Sequence, residues 1–191
     1  MQKITMTRET LIKKARDKFM STRKVICTGD PSETKHIASG IKKVWPDTTF
    51  IHKSNGYNVN TEQEKIKEQL SKHNTFINAS YINSEAQVKL LELCAKAMPI
   101  GDVYNIGSSH EYDSLGPEEY KNAKLKLRNK SLSLNSFRFQ TCHIIIGGID
   151  RGTKDTQGWI EPIEIAKLIK WTMNLRYNIP IVGIDQPKKP W

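Results

Sequence analysis

The chain has 191 residues, of which 37% are hydrophobic and 26% charged, and its formal net charge at pH 7 is +10. This length and composition fit one globular domain and exclude a disordered, collagen-like or membrane-spanning chain, because no apolar run approaches the roughly 20 residues that cross a bilayer. The N-terminal residues lack the apolar region and small-residue cleavage site of a secretory signal, so we expect a cytoplasmic protein without a membrane partner.

In chain order, short apolar runs alternate with amphipathic segments after an initial amphipathic helix at residues 7–20. We therefore divide the chain into an N-terminal helical extension at 1–22 and a single domain at 23–191. Strands are predicted at 24–29, 48–52, 74–79, 102–107, 139–146 and 179–184, with a further short strand at 57–59. Helices are predicted at 32–45, 61–73, 83–98, 118–134 and 161–174.

Strands that alternate with helices predict right-handed crossovers and a parallel sheet covered on both faces. The expected fold is therefore α/β, a Rossmann-like doubly wound and mostly parallel sheet of six to seven strands flanked by helices. A ligand of such a sheet lies at the carboxyl ends of the strands, where the connecting loops gather. The loops after the predicted strands are rich in Ser, Asn, Gly and Asp, which suits polar ligand contacts.

Cysteine and histidine spacing argues against a disulfide framework or a metal site. The three cysteines, Cys27, Cys94 and Cys142, are far apart and each lies in an apolar run, so we expect three reduced, buried thiols. None of the five histidines belongs to an HxxxH pattern and no CxxC pair is present, so no metal ligand is predicted.

The basic charge leaves a nucleic-acid partner open. The 30 Lys and Arg residues outnumber the 20 Asp and Glu residues, a balance that favours anionic partners. The basic residues are dispersed along the chain, however, and no zinc-finger, RNA-recognition or basic-zipper pattern accompanies them. Nucleic acid is therefore an alternative that the sequence does not favour.

The helix predicted at 118–134 carries a tyrosine and a lysine that can act together. Tyr120 and Lys124 are four positions apart, which places them on one helix face with Cβ atoms about 5–6 Å apart. An ammonium at that distance is expected to lower the phenol pKa, ordinarily near 10, toward neutrality. Such a phenol is a usable proton donor or acceptor. Because a Tyr-x-x-x-Lys spacing also occurs by chance, the surrounding motifs decide its meaning.

Several further motifs surround this pair between about residues 24 and 184. Along the chain they are Thr28-Gly29, FINAS at 76–80, Asn83, NIGS at 105–108, and Gly147-Gly148 with Thr153. In this order they resemble the glycine-rich loop, the NNAG segment, the helical Asn, the serine-bearing strand end and the PG…T loop of the short-chain dehydrogenase/reductase superfamily. The chain would be a divergent and compact member of that family.

The resemblance implies an NAD(P)-dependent oxidoreductase that transfers a hydride between NADP(H) or NAD(H) and a small carbonyl or alcohol substrate. By carry-over, Tyr120 would donate a proton to the carbonyl oxygen, or accept one in the reverse direction. Ser108 would hydrogen-bond that oxygen, and Lys124 would hold the ribose and depress the Tyr120 pKa. Asn83 would anchor a water in a proton relay.

The resemblance also implies contacts with cofactor, substrate and partner subunits. Cofactor-binding positions are Thr28, Gly29, Ser32, Lys35, Lys53, Ser54, Asn78, Ala79, Tyr120, Lys124, Gly148 and Thr153. Ser109 and His110 are expected to line the substrate pocket. Family members commonly pair through the helices predicted here at 83–98 and 118–134, so a homodimer or homotetramer is expected.

The choice of cofactor depends on the end of the second strand, where an acidic residue would bind the ribose 2′-OH of NAD. The chain reads His52-Lys53-Ser54 at this place. A base and a hydroxyl better suit a 2′-phosphate, which favours NADP(H). A solvated Lys53 without any ligand fits the same pattern.

The chain departs from the family in its glycine-rich loop, which reads TGDPSETKH at 28–36. Only Gly29 remains, and Glu33 and Lys35 occupy the places of the glycines that normally let the backbone approach a pyrophosphate. Ser32, Lys35 and the N-terminus of the next helix could compensate. The alternative is a catalytically inactive protein of this fold that binds nucleic acid or another acidic partner through its basic surface.

Overall fold

A computed structural model of the chain describes residues 22–98, 100–112, 116–156, 159–175 and 178–185, together with Thr7 and Thr10. The helix predicted at 7–20 lies outside these residues apart from its two threonines, so the N-terminal extension stays a prediction.

The sheet contains six parallel strands in the order β2-β1-β3-β4-β5-β6. The strands are β1 (Val25–Thr28), β2 (Thr49–Ile51), β3 (Thr75–Asn78), β4 (Gly101–Ile106), β5 (Phe139–Ile146) and β6 (Ile181–Ile184). The strand order reverses at β1, because β2 pairs with one edge of β1 and β3 with the other. This is the doubly wound, Rossmann-like α/β fold that the sequence predicts, with a crevice at the reversal point.

Five α-helices in the described part of the chain cover the two faces of the sheet. They are α1 (Ile37–Val44), α2 (Gln63–Ser71), α3 (Ala86–Ala97), α4 (Glu118–Leu134) and α5 (Pro162–Asn174). Every residue of β1, β3 and β4 is buried, as expected for parallel strands covered on both sides. None of the helices in this part of the chain is both long and apolar enough to cross a bilayer.

Each face of the sheet has its own hydrophobic core. The core under α1 and α5 includes Ile41, Ile77, Ile144, Ile165 and Ile169. The core under α2, α3 and α4 includes Ile66, Leu70, Phe76, Leu91 and Leu127. Neighbouring residues of one strand, such as Phe76 and Ile77, enter opposite cores because side chains alternate along a strand. The three cysteines are free and buried, as predicted.

Two predicted helix starts are wrong because short polar side chains bond to nearby backbone. Asp30 Oδ1 accepts hydrogen bonds from the backbone and hydroxyl of Ser32, which forms a turn, and α1 begins only at Ile37 instead of residue 32. Similarly, Asn83 Oδ1 accepts from the backbone of Ala86, so α3 begins three residues later than predicted.

The short strand predicted at 57–59 is also wrong. This segment is irregular and follows a 3₁₀ helix at Lys53–Asn55, and Gly56 reverses the chain with a positive φ of 84°. The sheet therefore has six strands in the described residues.

Candidate active site

A cleft of about 1050 Å³ opens at the carboxyl ends of β1, β3, β4 and β5. It extends from the loop before α1, past the start of α4, to the loop after β5. Its lining includes Lys35, Tyr81, Ser108, Tyr120, Lys124 and Arg151. The fold thus places the ligand cleft where the strand order predicts it.

Ser108 and Tyr120 meet in this cleft. Ser108 follows β4 and Tyr120 lies in the first turn of α4, and their hydroxyls form a hydrogen bond. The Tyr120 ring also packs edge-on against Tyr81, with ring centroids 4.8 Å apart. Burial raises the pKa of the Tyr120 phenol, and the hydrogen bond with Ser108 opposes that rise.

The expectation that the Tyr120 pKa falls toward neutrality is wrong for this arrangement. The Lys124 nitrogen lies 5.4 Å from the Tyr120 ring centroid, and its hydrogen bonds go to Gln87 and the Ile106 carbonyl. Burial of the phenol therefore dominates, and the Tyr120 pKa is raised instead.

Lys124 is held by buried oxygen atoms. Its Nζ donates to Gln87 Oε1 at 2.6 Å and to the Ile106 carbonyl at 2.8 Å. The residue is only 3% exposed, and burial lowers its pKa to about 7, against an opposing effect of Glu111. A buried amine with this pKa is about half protonated at physiological pH.

Gln87 is a site residue that the sequence analysis missed. It lies in the first turn of α3, and its Nε2 donates to the Asn78 carbonyl at 2.9 Å. The Asn78 amide donates in turn to the Gln87 carbonyl at 2.8 Å and to Asn105 Oδ1 at 3.0 Å. A polar residue in a helix gives no periodic signal, so only the tertiary contact reveals it. Asn83, the predicted helical Asn, instead caps α3 and does not line the cleft.

The sequence analysis also missed a buried pair, Glu111 and His143, which lies next to Ser108. Glu111 Oε1 lies 2.8 Å from His143 Nε2 and accepts a hydrogen bond from the Ser108 backbone at 3.0 Å. Both side chains are fully buried. Their positions are 32 residues apart, so each is isolated in the sequence and no spacing motif could have identified them.

Some of the predicted cofactor and substrate residues line the cleft. They are Lys35, Ala79, Tyr120, Lys124, Gly148 and His110. Lys35 Nζ also forms an ion pair with Asp150 Oδ2 at 3.1 Å, which joins the loop after β1 to the loop after β5. The Trp159 ring packs on Gly148, where a Cβ would lie 2.1 Å from the ring.

The remaining predicted residues make contacts within the protein and do not line the cleft. They are Thr28, Gly29, Ser32, Lys53, Ser54, Asn78, Ser109 and Thr153. The Thr28 hydroxyl accepts from the backbone of Ala79 at 2.8 Å and so joins β1 to the end of β3. The Ser54 hydroxyl lies 2.6 Å from His52 Nδ1.

The loop after β1 is shaped by a histidine. Gly29 has a φ of +116°, and a Cβ there would lie 2.4 Å from the His36 ring. His36 Nδ1 accepts the backbone N–H of Ala38 and so caps α1. The backbone amide of Ala38, one of those at this helix N-terminus that would face a phosphate, is therefore already bonded to His36.

A nicotinamide dinucleotide fits this cleft with different phosphate contacts. The volume suits a large ligand, and Ser108, Tyr120 and Lys124 all line it. Two cations, Lys35 and Arg151, also line the cleft and could contact a pyrophosphate in place of a glycine backbone. No three His, Cys, Asp or Glu side chains of the described residues lie close enough to bind a metal ion.

Comparison with known proteins identifies the fold through structure alone. No protein-family model and no curated protein sequence matches the chain. The closed form of serine dehydrogenase complexed with NADP+ has a TM-score of 0.66 and 14% identity, and the match covers 84% of this chain and 94% of that one. A short-chain dehydrogenase from Streptomyces avermitilis has a TM-score of 0.61 and 13% identity, over 86% and 89% of the two chains.

A third similar structure is a 3-alpha-hydroxysteroid dehydrogenase from a Pseudomonas species complexed with NADH. Its TM-score is 0.59 at 14% identity, and the match covers 84% of this chain and 94% of that one. The chain therefore has the fold of the short-chain dehydrogenases, as its motifs predicted.

Proposed function

We propose that this protein is a divergent NAD(P)-dependent oxidoreductase of the short-chain dehydrogenase/reductase type, acting on a small carbonyl or alcohol substrate. The observation that carries the proposal is the meeting of Ser108, Tyr120 and Lys124 in one cleft at the carboxyl ends of the strands. Solved structures of the same fold include dehydrogenases complexed with NADP+ and NADH.

Tyr120 suits proton donation to a carbonyl oxygen. Its raised pKa keeps the phenol protonated at neutral pH, and the Ser108 hydroxyl lies beside it to orient that oxygen. A bound nicotinamide would supply or accept the hydride. Reduction of a carbonyl is therefore the direction that this resting arrangement favours.

Lys124 contributes charge and a ribose contact. Its ammonium lies close to the Tyr120 ring, so a positive charge there stabilises the phenolate that forms as Tyr120 gives up its proton. Gln87 and the Ile106 carbonyl fix the direction of the amine. We assign the positioning of Lys124 to Gln87 and do not place Asn83 in the mechanism, because its side chain caps α3.

The phosphates of the cofactor would be held by Lys35 and Arg151, both of which line the cleft. NADP(H) remains favoured because Lys53 is exposed in the 3₁₀ helix that follows β2. NAD(H) is the alternative. It is supported by the Asp30 carboxylate, which lies 3.7 Å from His52, the residue that follows β2.

The experiment that tests this activity is a panel of small aldehydes, ketones and alcohols assayed with NADPH and NADH. Tyr120→Phe is expected to lose about 10²–10⁴-fold in kcat, the usual contribution of a proton donor. Tyr57→Phe is the matched control, because Tyr57 contacts Lys65 outside the cleft. Turnover that survives Tyr120→Phe would contradict the assignment.

A catalytically inactive binding protein is the second candidate. The His36 ring packed against Gly29 and the Glu33 side chain at the cleft favour it, since both disfavour a pyrophosphate. Its partner would be nucleic acid or another acidic molecule that contacts the basic surface. Binding to DNA or RNA that weakens steeply with salt, without any effect of a nicotinamide nucleotide, would favour this candidate.

The resemblance also supports a homodimer or homotetramer that pairs through α3 and α4. Light scattering on the purified protein measures the assembly directly, and a monomer at all concentrations would contradict it.

A further inference from the structure

We infer that the buried carboxylate of Glu111, fixed by His143, is a positioning residue that holds Ser108 in place and supplies the negative charge facing Tyr120 and Lys124. The inference rests on the proposed function, because it assigns a role toward the proton donor of that reaction.

The position of Ser108 depends directly on Glu111. Ser108 caps the 3₁₀ helix at Ser109–Glu111, and its hydroxyl accepts the backbone N–H of His110 at 3.3 Å. Glu111 Oε1 reaches back to the Ser108 backbone N–H at 3.0 Å. Each end of this turn therefore bonds the other, as in a capping box, and the Ser108 hydroxyl has a defined direction.

Gly107 shows how closely the strand end contacts this pair. A Cβ at Gly107 would lie 2.3 Å from His143 Nε2 and 2.5 Å from Glu111 Oε1. Its backbone N–H is already fixed to the Ile144 carbonyl at 2.7 Å. Glycine is thus required before Ser108 because the buried pair fills the space that a side chain would need.

The charge of Glu111 is more than the hydrogen bonds require. A glutamine could accept the same bonds from Ser108 and His143 without the cost of burying a charge. Glu111 Oε2 has no hydrogen-bond partner among the described residues, but Arg128 Nη1 lies 3.5 Å from it in an ion pair. The carboxylate is therefore paired on both oxygens, and its charge still acts on Tyr120 and Lys124.

Two of those neighbours belong to the proposed site. Glu111 raises the pKa of both Tyr120 and Lys124, so its charge favours their protonated forms. The charged and titratable groups that face this region are His143 from β5, Arg128 from α4, His110 beside Ser108, Tyr81 after β3 and Arg151 after β5. Glu111 is the buried carboxylate in this set.

The test is Glu111→Gln, which keeps the shape and the hydrogen bonds and removes the charge. We expect the Lys124 pKa, followed by NMR of its side chain, to fall further below its ordinary value, because the Glu111 charge opposes the burial that lowers it. The alkaline limb of the kcat profile should move to lower pH by the same amount. Glu118→Gln, an exposed change on α4, the helix that carries Lys124, is the matched control and should move neither value.

An unchanged Lys124 titration in Glu111→Gln would overturn the inference even if the enzyme is active. Because the NMR titration needs no cofactor or turnover, its result is separate from the failure of the proposed activity. If Glu111→Gln does not fold, Glu111→Asp tests the positioning of Ser108, and an unchanged kcat in that variant would overturn the inference. Glu111→Asp should keep the Lys124 titration and lower kcat with little change in KM, because the shorter side chain no longer reaches Ser108.

Discussion

Lys124 donates a hydrogen bond to Gln87 Oε1 over 2.6 Å, and both residues are buried. The contact joins α4 to α3 beneath the cleft. It gives a buried amine an uncharged acceptor, so the lysine is not held in its ammonium form by an ion pair at this contact. The proton affinity of Lys124 is therefore open to change by a single substitution at residue 87.

Gln87→Glu places a carboxylate beside Lys124 and is expected to raise the Lys124 pKa above its value of about 7. NMR titration of the lysine side chain measures the change. Gln87→Ala leaves the buried amine short of an acceptor and should cost about 1–3 kcal/mol of unfolding free energy. Gln63→Ala, an exposed change in the first turn of α2, is the control and should be neutral. A Lys124 titration that does not respond to Gln87→Glu would contradict the contact.

The depressed Lys124 pKa predicts how stability depends on pH. Between about pH 7 and the ordinary lysine value of 10.5, the unfolded chain binds a proton at this residue that the folded chain does not. The free energy of unfolding should therefore increase with pH across this window through the lysine, by up to about 1.4 kcal/mol per unit. The contribution is lost as pH falls through 7, where the buried amine must be charged.

Lys124→Met removes this titration. Chemical unfolding of the variant and the wild type at several pH values gives the difference between them, in which other titrating groups cancel. The variant's relative stability is expected to be largest below pH 7 and to decline above it. A difference that is constant with pH would contradict the assignment.

The ion pair between Lys35 and Asp150 predicts opposite effects on cofactor affinity. Asp150→Asn releases Lys35 for a phosphate and should tighten NADPH binding, whereas Lys35→Ala should weaken it. A loss of roughly tenfold corresponds to one charge-assisted hydrogen bond of about 1.5 kcal/mol. Fluorescence titration with NADPH measures the affinity of both variants. Affinity changes of the same sign in the two variants would show that the ion pair only links the two loops.

The packing of α1 on α5 depends on a small residue. A Cβ at Gly40 would lie 2.2 Å from the Pro162 carbonyl oxygen, so the two backbones must separate to admit it. Gly40→Ala is expected to lose about 1–3 kcal/mol of unfolding free energy, despite the higher helix propensity of alanine. Gly183→Ala is the control, because its nearest neighbour would be 3.9 Å away. Equal stabilities of the two variants would contradict this packing.

The sequence predicts the sheet well because its signal is local. Strands such as β5 are apolar runs, and their burial on both faces follows from composition. The errors occur where one polar side chain decides a boundary. Asp30 and Asn83 each bond to nearby backbone, and the predicted helices at 32 and 83 begin later as a result.

The site is only partly readable from the sequence. Ser108, Tyr120 and Lys124 form a motif with fixed spacing, and the fold brings them into one cleft. Gln87 and His143 come from other elements, and their roles depend on tertiary contacts that spacing does not encode. The direction of the Tyr120 pKa shift was mispredicted for the same reason, since burial is a property of the folded chain.

The most direct test of the account is a titration of the purified protein with NADPH and NADH, followed by nicotinamide fluorescence and thermal unfolding. We predict saturable binding, with about 2.7 kcal/mol of stabilisation at a ligand concentration 100 times the dissociation constant. Binding should persist in Tyr120→Phe, which keeps the ring that packs against Tyr81. No binding and no stabilisation by either nucleotide would contradict the oxidoreductase assignment and favour the inactive binding protein.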